Sequence, residues 1–237
     1  MRNTRMMRHF SKTMLLLMAL MIAGIATIAG AQEESIRPGI NKPFQNPDVD
    51  SWLARFERDD RELYTRRNEV AAVLNLKPGM DVADIGAGTG FYTMLFAQKV
   101  GPDGIVYALD IAENFITHIN ETAEELGLAN VRGIVNPADS TTLEPNSVDV
   151  VFLAHTYHHF EYPYKMLDSI RSALRPDGTV VLVEFERVEG VTAKFVLGMV
   201  RAGKGTFTDE FRNAGFELIE EVPFSEIDYI RKFGLRK

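Results

Sequence analysis

The chain has 237 residues, 46% of them apolar and 25% charged, with a formal charge of −7 and no cysteine. That length supports one domain with a proper core, and the composition is that of a soluble globular protein. The absence of any thiol excludes disulfides, thiolate metal sites, cysteine nucleophiles and lipidated cysteine anchors.

The first 31 residues form a class of their own. Arg2, Arg5, Arg8 and Lys12 give a basic start, Met14 to Ala29 is almost purely apolar, and Ala29-Gly30-Ala31 supplies small residues before Gln32. This is the pattern of a secretory signal peptide, with cleavage expected after Ala31 and a periplasmic or extracellular destination. The alternative is an uncleaved N-terminal membrane anchor, although the apolar run sits at the lower edge of the roughly 17–25 residues a spanning helix needs. The basic start favours an N-in orientation, so the domain lies outside on either reading. Losing those four basic residues takes the formal charge from −7 to −11. Such a surface repels phosphate backbones and anionic lipid, which argues against a nucleic-acid partner and against stable membrane association after cleavage.

Gln32 to Asp50 carries Pro38, Pro43 and Pro47 and reads as an extended linker, leaving 51–237 as the domain proper. From Ser51 to Leu76, Trp52, Phe56, Leu63, Val70, Val73 and Leu74 recur at helical spacing, predicting a helix stopped by Lys77-Pro78-Gly79. Strands are predicted over 81–85, 105–110, 131–135, 148–154, 179–185, 216–222 and 227–233. Helices are predicted over 91–100, 112–126, 164–174 and 208–214, the last with Thr208 as cap and Gly215 as stop. Apolar strands alternating with helices imply an α/β domain, a doubly wound, mostly parallel sheet covered on both faces. The short connection from Pro223 to Glu226 implies one reversed strand near the C-terminus.

The stretch "VADIGAGTGFYT", Val82 to Thr93, places Gly86, Gly88 and Gly90 at the end of the first strand, where parallel sheets bind ligands. Gly86 suits a tight turn, Gly88 a backbone contact with a ligand, and Gly90 close packing of the next helix. A dinucleotide site reads G-x-G-x-x-G with a pyrophosphate on the helix end. This loop is one residue shorter, and Asp84 stands where it would repel a pyrophosphate and welcome an ammonium group. A cofactor carrying an amino-acid moiety, such as S-adenosylmethionine, fits better. Asp110 ends the second strand at the spacing of a ribose-gripping acid, and Asp139 in "NPADS" stands where it reaches an adenine amino group.

Taken together, "VADIGAGTG", "VYALDI", "NPADS", "SVDVVFLAHTYHHF" and "LRPDGTVVLVEF" resemble the successive motifs of the class I S-adenosylmethionine-dependent methyltransferases, over about residues 64–220. The resemblance is nearest to the group that includes small-molecule enzymes such as quinone C-methyltransferases, and it implies a Rossmann-like seven-stranded fold. It also implies that Gly86 and Gly88, in one loop with Ala87 and Gly90, line the methionine part of the cofactor. Asp84 is then assigned to its amino group, Asp110 to the ribose, Asp139 to the adenine edge, and Ile111, Ala138 and Ser140 to the adenine's surroundings. Ala154 and His155 are expected to face the methionine end and a small-molecule acceptor.

Methyl transfer is an in-line displacement with a neutral leaving thioether, so alignment and exclusion of water supply most of the catalysis. A base matters only where the acceptor must lose a proton. The candidates are in "AHTYHHFEYP": His155 first, His158 second, with His159 and four aromatic residues beside them. That cluster reads as an acceptor pocket, as loop structure, or as a metal site; no metal is assigned. Tyr64 and Arg67 precede the first strand and are candidates for contact with cofactor or acceptor, Tyr64 as a catalytic residue. Glu184 is expected at the far rim. Two other functions compete: an exported noncatalytic protein binding an adenosyl ligand, and an NAD-dependent oxidoreductase.

Overall fold

The computed structural model describes residues 32–237, so the segment read as a signal peptide, 1–31, lies outside the described residues. One sheet organises the rest: β1 (Val82–Ile85), β2 (Val106–Asp110), β3 (Val131–Val135), β4 (Val148–Ala154), β5 (Leu174–Phe185), β6 (Phe216–Val222) and β7 (Asp228–Leu235). The strand order is β3-β2-β1-β4-β5-β7-β6. β7 alone is reversed, pairing antiparallel with both β5 and β6. The sheet expected from the alternating apolar segments is the one observed.

The helices are α1 (Val49–Phe56), α2 (Glu62–Thr65), α3 (Arg67–Val73), α4 (Phe91–Val100), α5 (Glu113–Glu125), α6 (Pro163–Ala173), α7 (Lys194–Met199) and α8 (Lys204–Asn213). Side chains alternate across a strand, so neighbouring residues enter opposite layers. Val82, Val150, Phe152, Val181 and Val183 pack in one layer with Val70, Phe96 and Ile119 of α3, α4 and α5. Ala83, Ile85, Val151, Leu153 and Leu182 pack in the other with Ile170 of α6 and Phe207 and Phe211 of α8. Each of these side chains, when large and fully buried, contributes about 1.5–3 kcal/mol by removal from water.

Four local expectations are corrected. The single helix expected over Ser51–Leu76 is three helices, α1 to α3, because Arg58-Asp59-Asp60-Arg61 has no apolar residue to bury. α1 also starts inside the expected linker, where Ser51 N donates to the Asp48 carboxylate at 2.9 Å, an N-cap. Thr208 does not cap a helix: α8 begins at Lys204 after Gly203, and the buried Thr208 hydroxyl donates to Lys204 O one turn back. Finally, α7 forms within the connection after β5, where no helix is expected.

Candidate active site

The chain passes from β1 to β2 and β3 on one side and returns to β4 on the other, which opens a crevice at the carboxyl ends of β1 and β4. Gly86 turns the chain there at φ +70°, and a Cβ on it would stand 2.3 Å from the Thr156 methyl. Gly88, at φ +56°, has the Phe56 ring 3.2 Å from where a Cβ would be, so its bare backbone faces an aromatic cover. Gly90 serves packing, since Ile119 of α5 leaves only 2.6 Å for a Cβ, and it does not line the crevice.

The crevice is a cavity of about 610 Å³, inside the range of about 300–1,000 Å³ usual for small-molecule sites. Asp84, Gly86, Ala87 and Gly88 line it from the end of β1, Asp110, Ile111 and Ala138 from beyond β2 and β3, and Ala154, His155 and His158 from beyond β4. Besides Gly90, two more expected residues are elsewhere. Tyr64 stacks edge-on against Phe91 at 5.6 Å under the Arg67 guanidinium and does not line the cavity, so it leaves the catalytic set. Asp139 is partly exposed, pairs with Lys165 at 3.4 Å and does not line the cavity, whereas Asn136 and Ala138 of the same loop do.

The segment expected as a linker supplies part of the cavity wall. Phe44, Trp52 and Phe56 form a chain of ring contacts at 4.9 Å spacing and line the cavity together. They are tied down by hydrogen bonds to the histidine turn: Asn41 Nδ2 donates to His159 O at 3.1 Å and Ile36 N to Glu161 O at 2.9 Å. Arg37 donates to Gly198 O and Met199 O at the end of α7. Prolines mark such a segment as extended; its partners are distant in sequence and leave no local signal.

Asp84 is buried and accepts a hydrogen bond from Thr93 Oγ1 at 2.7 Å. Burial, with the nearby Asp110 charge adding to it, pushes its carboxyl up to about 7. Asp110 accepts from Gly88 N at 3.0 Å and Ala112 N at 2.9 Å, which ties the second strand to the glycine loop. Burial raises its carboxyl above the ordinary range even against those bonds. Asn136, passed over in the sequence, lines the same cavity. Its amide nitrogen donates to Pro137 O and Ser140 O, while its buried Oδ1 has no partner. Its sequence signal is a polar residue straight after β3 in the motif "NPADS", three positions before the charged Asp139.

Beyond β4 two histidines each meet a carboxylate. His155 takes φ +52°, a backbone state that costs a non-glycine residue about 1–3 kcal/mol. Its Nε2 lies 2.8 Å from the buried Asp228 carboxylate of β7 and its ring stacks on Phe185 at 3.6 Å. His158 Nδ1 lies 2.8 Å from Oε2 of Glu184, a fully buried residue of β5, and its Nε2 is buried with no partner. Burial by itself would raise Glu184; the His158 imidazole, with help from His155 and the Phe185 N–H, outweighs it and holds the carboxyl below the usual range. His159 is pressed down to about 3 by burial and then by His158, so it is neutral, and its ring meets Phe44 edge-on at 4.8 Å. Asp228 was not legible beforehand, being 73 residues from its histidine. Among the described residues no group of three or more His, Asp or Glu is placed to hold a metal ion.

A family described as "Methyltransferase domain" matches residues 76–222. The demethylmenaquinone methyltransferase of Bacillus mycoides is 27% identical over 154 residues, which are 65% of this chain and 63% of that one. The ubiquinone/menaquinone biosynthesis C-methyltransferase UbiE of Burkholderia cenocepacia is 31% identical over 117 residues, 49% of this chain and 48% of that one. The match thus spans 63% or less of the length of these curated relatives. Among solved structures, a SAM-dependent methyltransferase from Aquifex aeolicus superposes with a TM-score of 0.70 at 24% identity, covering 79% of this chain and 98% of that one, a likeness of fold.

Proposed function

This chain belongs to the methyltransferase-domain family, and from that premise we propose that it moves a methyl group from S-adenosylmethionine to a small organic acceptor by in-line displacement. The observation that carries the reading is one cavity in which the bare Gly86–Gly88 backbone, the buried acids Asp84 and Asp110 and the unpartnered Asn136 Oδ1 all meet. The groups match the parts of the cofactor. Asp84 takes the ammonium and ionises to do so, Asp110 takes ribose hydroxyls while keeping the Gly88 N–H, and Asn136 Oδ1 accepts from the adenine amino group between Ile111 and Ala138. When bound, the cofactor supplies an electrophilic methyl on a sulfonium whose departing thioether is neutral.

The protein's share of the chemistry is alignment and dryness. Phe44, Trp52 and Phe56 close over the glycine loop, and Phe185, Val196 and Met199 give the rest of the cavity an apolar wall that suits an acceptor with an apolar face. A dinucleotide is disfavoured, since the glycine loop is one residue short and the buried Asp84 stands where a pyrophosphate would rest. Calorimetric titration tests the reading: S-adenosylmethionine should bind saturably, and no heat at millimolar cofactor would count against it. Release of S-adenosylhomocysteine on adding an acceptor separates an enzyme from a noncatalytic binder.

The same proposal extends to location. Residues 1–31 carry the basic, apolar and small-residue succession of an export signal, so the working protein starts at Gln32 outside the cytoplasm. N-terminal sequencing of protein recovered from the exported fraction should read Gln-Glu-Glu-Ser; an intact Met1 would contradict it. Among the described residues no helix is long and apolar enough to cross a membrane.

A further inference from the structure

We infer that His158, held by Glu184, is the base that takes a proton from the acceptor, and that the acceptor is an aromatic hydroxyl compound methylated on oxygen. The inference rests on the methyl-transfer reading above.

Three imidazoles line the cavity, and their geometry distinguishes them: His159 has an unpartnered buried Nδ1 but no carboxylate bonded to its ring, which leaves His155 and His158. His155 spends its outer nitrogen, Nε2, on Asp228, and its ring lies flat on Phe185. His158 is the reverse. Its inner nitrogen, Nδ1, meets Glu184, and its outer nitrogen is buried with no hydrogen-bond partner. An ionised carboxylate only accepts hydrogen bonds, so beside Glu184 the ring proton sits on Nδ1 and Nε2 keeps a free lone pair. Glu184 is itself fixed from two more directions, accepting from His158 N at 3.2 Å and Phe185 N at 2.9 Å. A buried acid that orients one face of an imidazole while the other face stays unsatisfied beside a substrate cavity is the arrangement of a general base. Glu184 acts through His158 and is a positioning residue.

The base narrows the acceptor to one that gives up a hydroxyl proton, and because a phenolate carries most of its charge on oxygen, oxygen and not a ring carbon takes the methyl. A neutral amine attacks through its own lone pair and sheds its proton to water afterwards, so it needs no aimed base. An alkyl alcohol gives its proton to imidazole only within the transition state, a harder transfer than from an aromatic hydroxyl. An aromatic hydroxyl, with a pKa near 10 as in tyrosine, is within reach of an imidazole near 6.5, and the Phe44, Phe56, Phe115 and Phe185 rings offer it stacking surfaces. The step balances: the hydroxyl proton goes to His158 Nε2, an oxygen electron pair forms the new O–CH3 bond, and the S–CH3 pair returns to sulfur as the sulfonium becomes a thioether. The imidazolium, stabilised by Glu184, then returns its proton to solvent. The other titratable groups around the turn are His155 and His159 on the same segment, Arg37 from the N-terminal strap and Asp228 from β7.

The test uses the chain from Gln32 with S-adenosylmethionine and the probes phenol, 4-chlorophenol and 4-nitrophenol. Wild type should convert phenol to its methyl ether. His158→Gln should lower kcat on phenol by about 100-fold or more with cofactor affinity unchanged. The deficit should shrink toward 4-nitrophenol, which is already ionised at mildly alkaline pH, and at saturating cofactor, where the Asp84 ionisation drops out, the acidic limb of kcat/KM for phenol should vanish. Glu184→Gln, nearly the same shape, should give a smaller fall and a displaced acidic limb. Equal losses on all three phenols, an unchanged acidic limb in His158→Gln, or no methylation of any phenol by wild type with cofactor bound would each overturn the assignment. Failure of wild type to bind the cofactor would instead overturn the reading it rests on.

Discussion

The two halves of the cavity are built in different ways. The half at the ends of β1 to β3 is made of backbone and short-range contacts: the glycine turn, Asp110 on Gly88 N, and Thr93 on Asp84 nine residues away. The half beyond β4 is made of side chains brought together from afar, His155 with Asp228, His158 with Glu184, and Asn41 with the His159 carbonyl, 118 residues apart. The first half depends on main-chain geometry that few residues can adopt. The second depends on side-chain pairs between distant parts of the chain, two of them anchored by buried carboxylates of β5 and β7. A fold that keeps one cofactor and varies its acceptor needs that division, because acceptor contacts must be replaceable while the cofactor cradle stays intact.

The sharpest way to break the first half is Gly86→Val. The added side chain meets Thr156 and the backbone is held at φ +70°, so strain and overpacking together should cost about 2–6 kcal/mol. Thermal unfolding and cofactor titration should both fail or fall steeply; wild-type behaviour in both would mean that the turn tolerates side chains. Asp110→Ala comes next. Removing a charged acceptor should weaken cofactor binding by about 1–3 kcal/mol, with some loss of stability because Gly88 N and Ala112 N lose their partner. Unchanged affinity would show the ribose to be elsewhere.

A smaller effect comes from pH. Asp84 titrates at about 7 in the folded protein against an ordinary value of 3.8. The native state then holds more protons than the unfolded chain between those values. Its contribution to stability is fully present below about pH 4 and is lost as pH rises through about 7. Asp110 is shifted in the same direction. Cofactor binding should run the opposite way, strengthening up to about pH 7, because the ammonium needs the ionised acid. Denaturant titrations and calorimetry across that range check both slopes, and Asp84→Asn should flatten them. The smallest effect separates the two candidates for the adenine edge: Asp139→Ala breaks only a partly exposed pair with Lys165, worth about 0–1 kcal/mol, and should leave cofactor affinity alone, whereas Asn136→Ala should lower it by about 1 kcal/mol.

Much of the cofactor half was legible in the sequence. Asp84, the glycines and Asp110 sit at strand ends whose position follows from apolar runs, and each of the seven strands overlaps its run, β5 starting five residues early at Leu174. Asp139 shows the limit: strand-end spacing located the loop, but not which of its residues turns inward. Tyr64 shows another. Its place before the first strand, where the resembled family covers its cofactor, made it a candidate, and the break at Arg58–Arg61 gave the wall to Arg61 and Leu63 instead. The aromatic cover from Phe44 to Phe56 was read as linker because prolines and weak periodicity describe the local chain and not what it lies against.

What the sequence determined by itself, then, was the layered sheet and the place of its switch point, since alternation of apolar runs, glycine turns and caps is local physics repeated along the chain. Tertiary structure alone decided which carboxylate stands behind each histidine, which polar atom is left unpaired at the adenine end, and what roofs the cavity. Those are facts about residues far apart in the chain, and burial acts on whichever groups the sheet happens to bring together, not on their spacing in sequence.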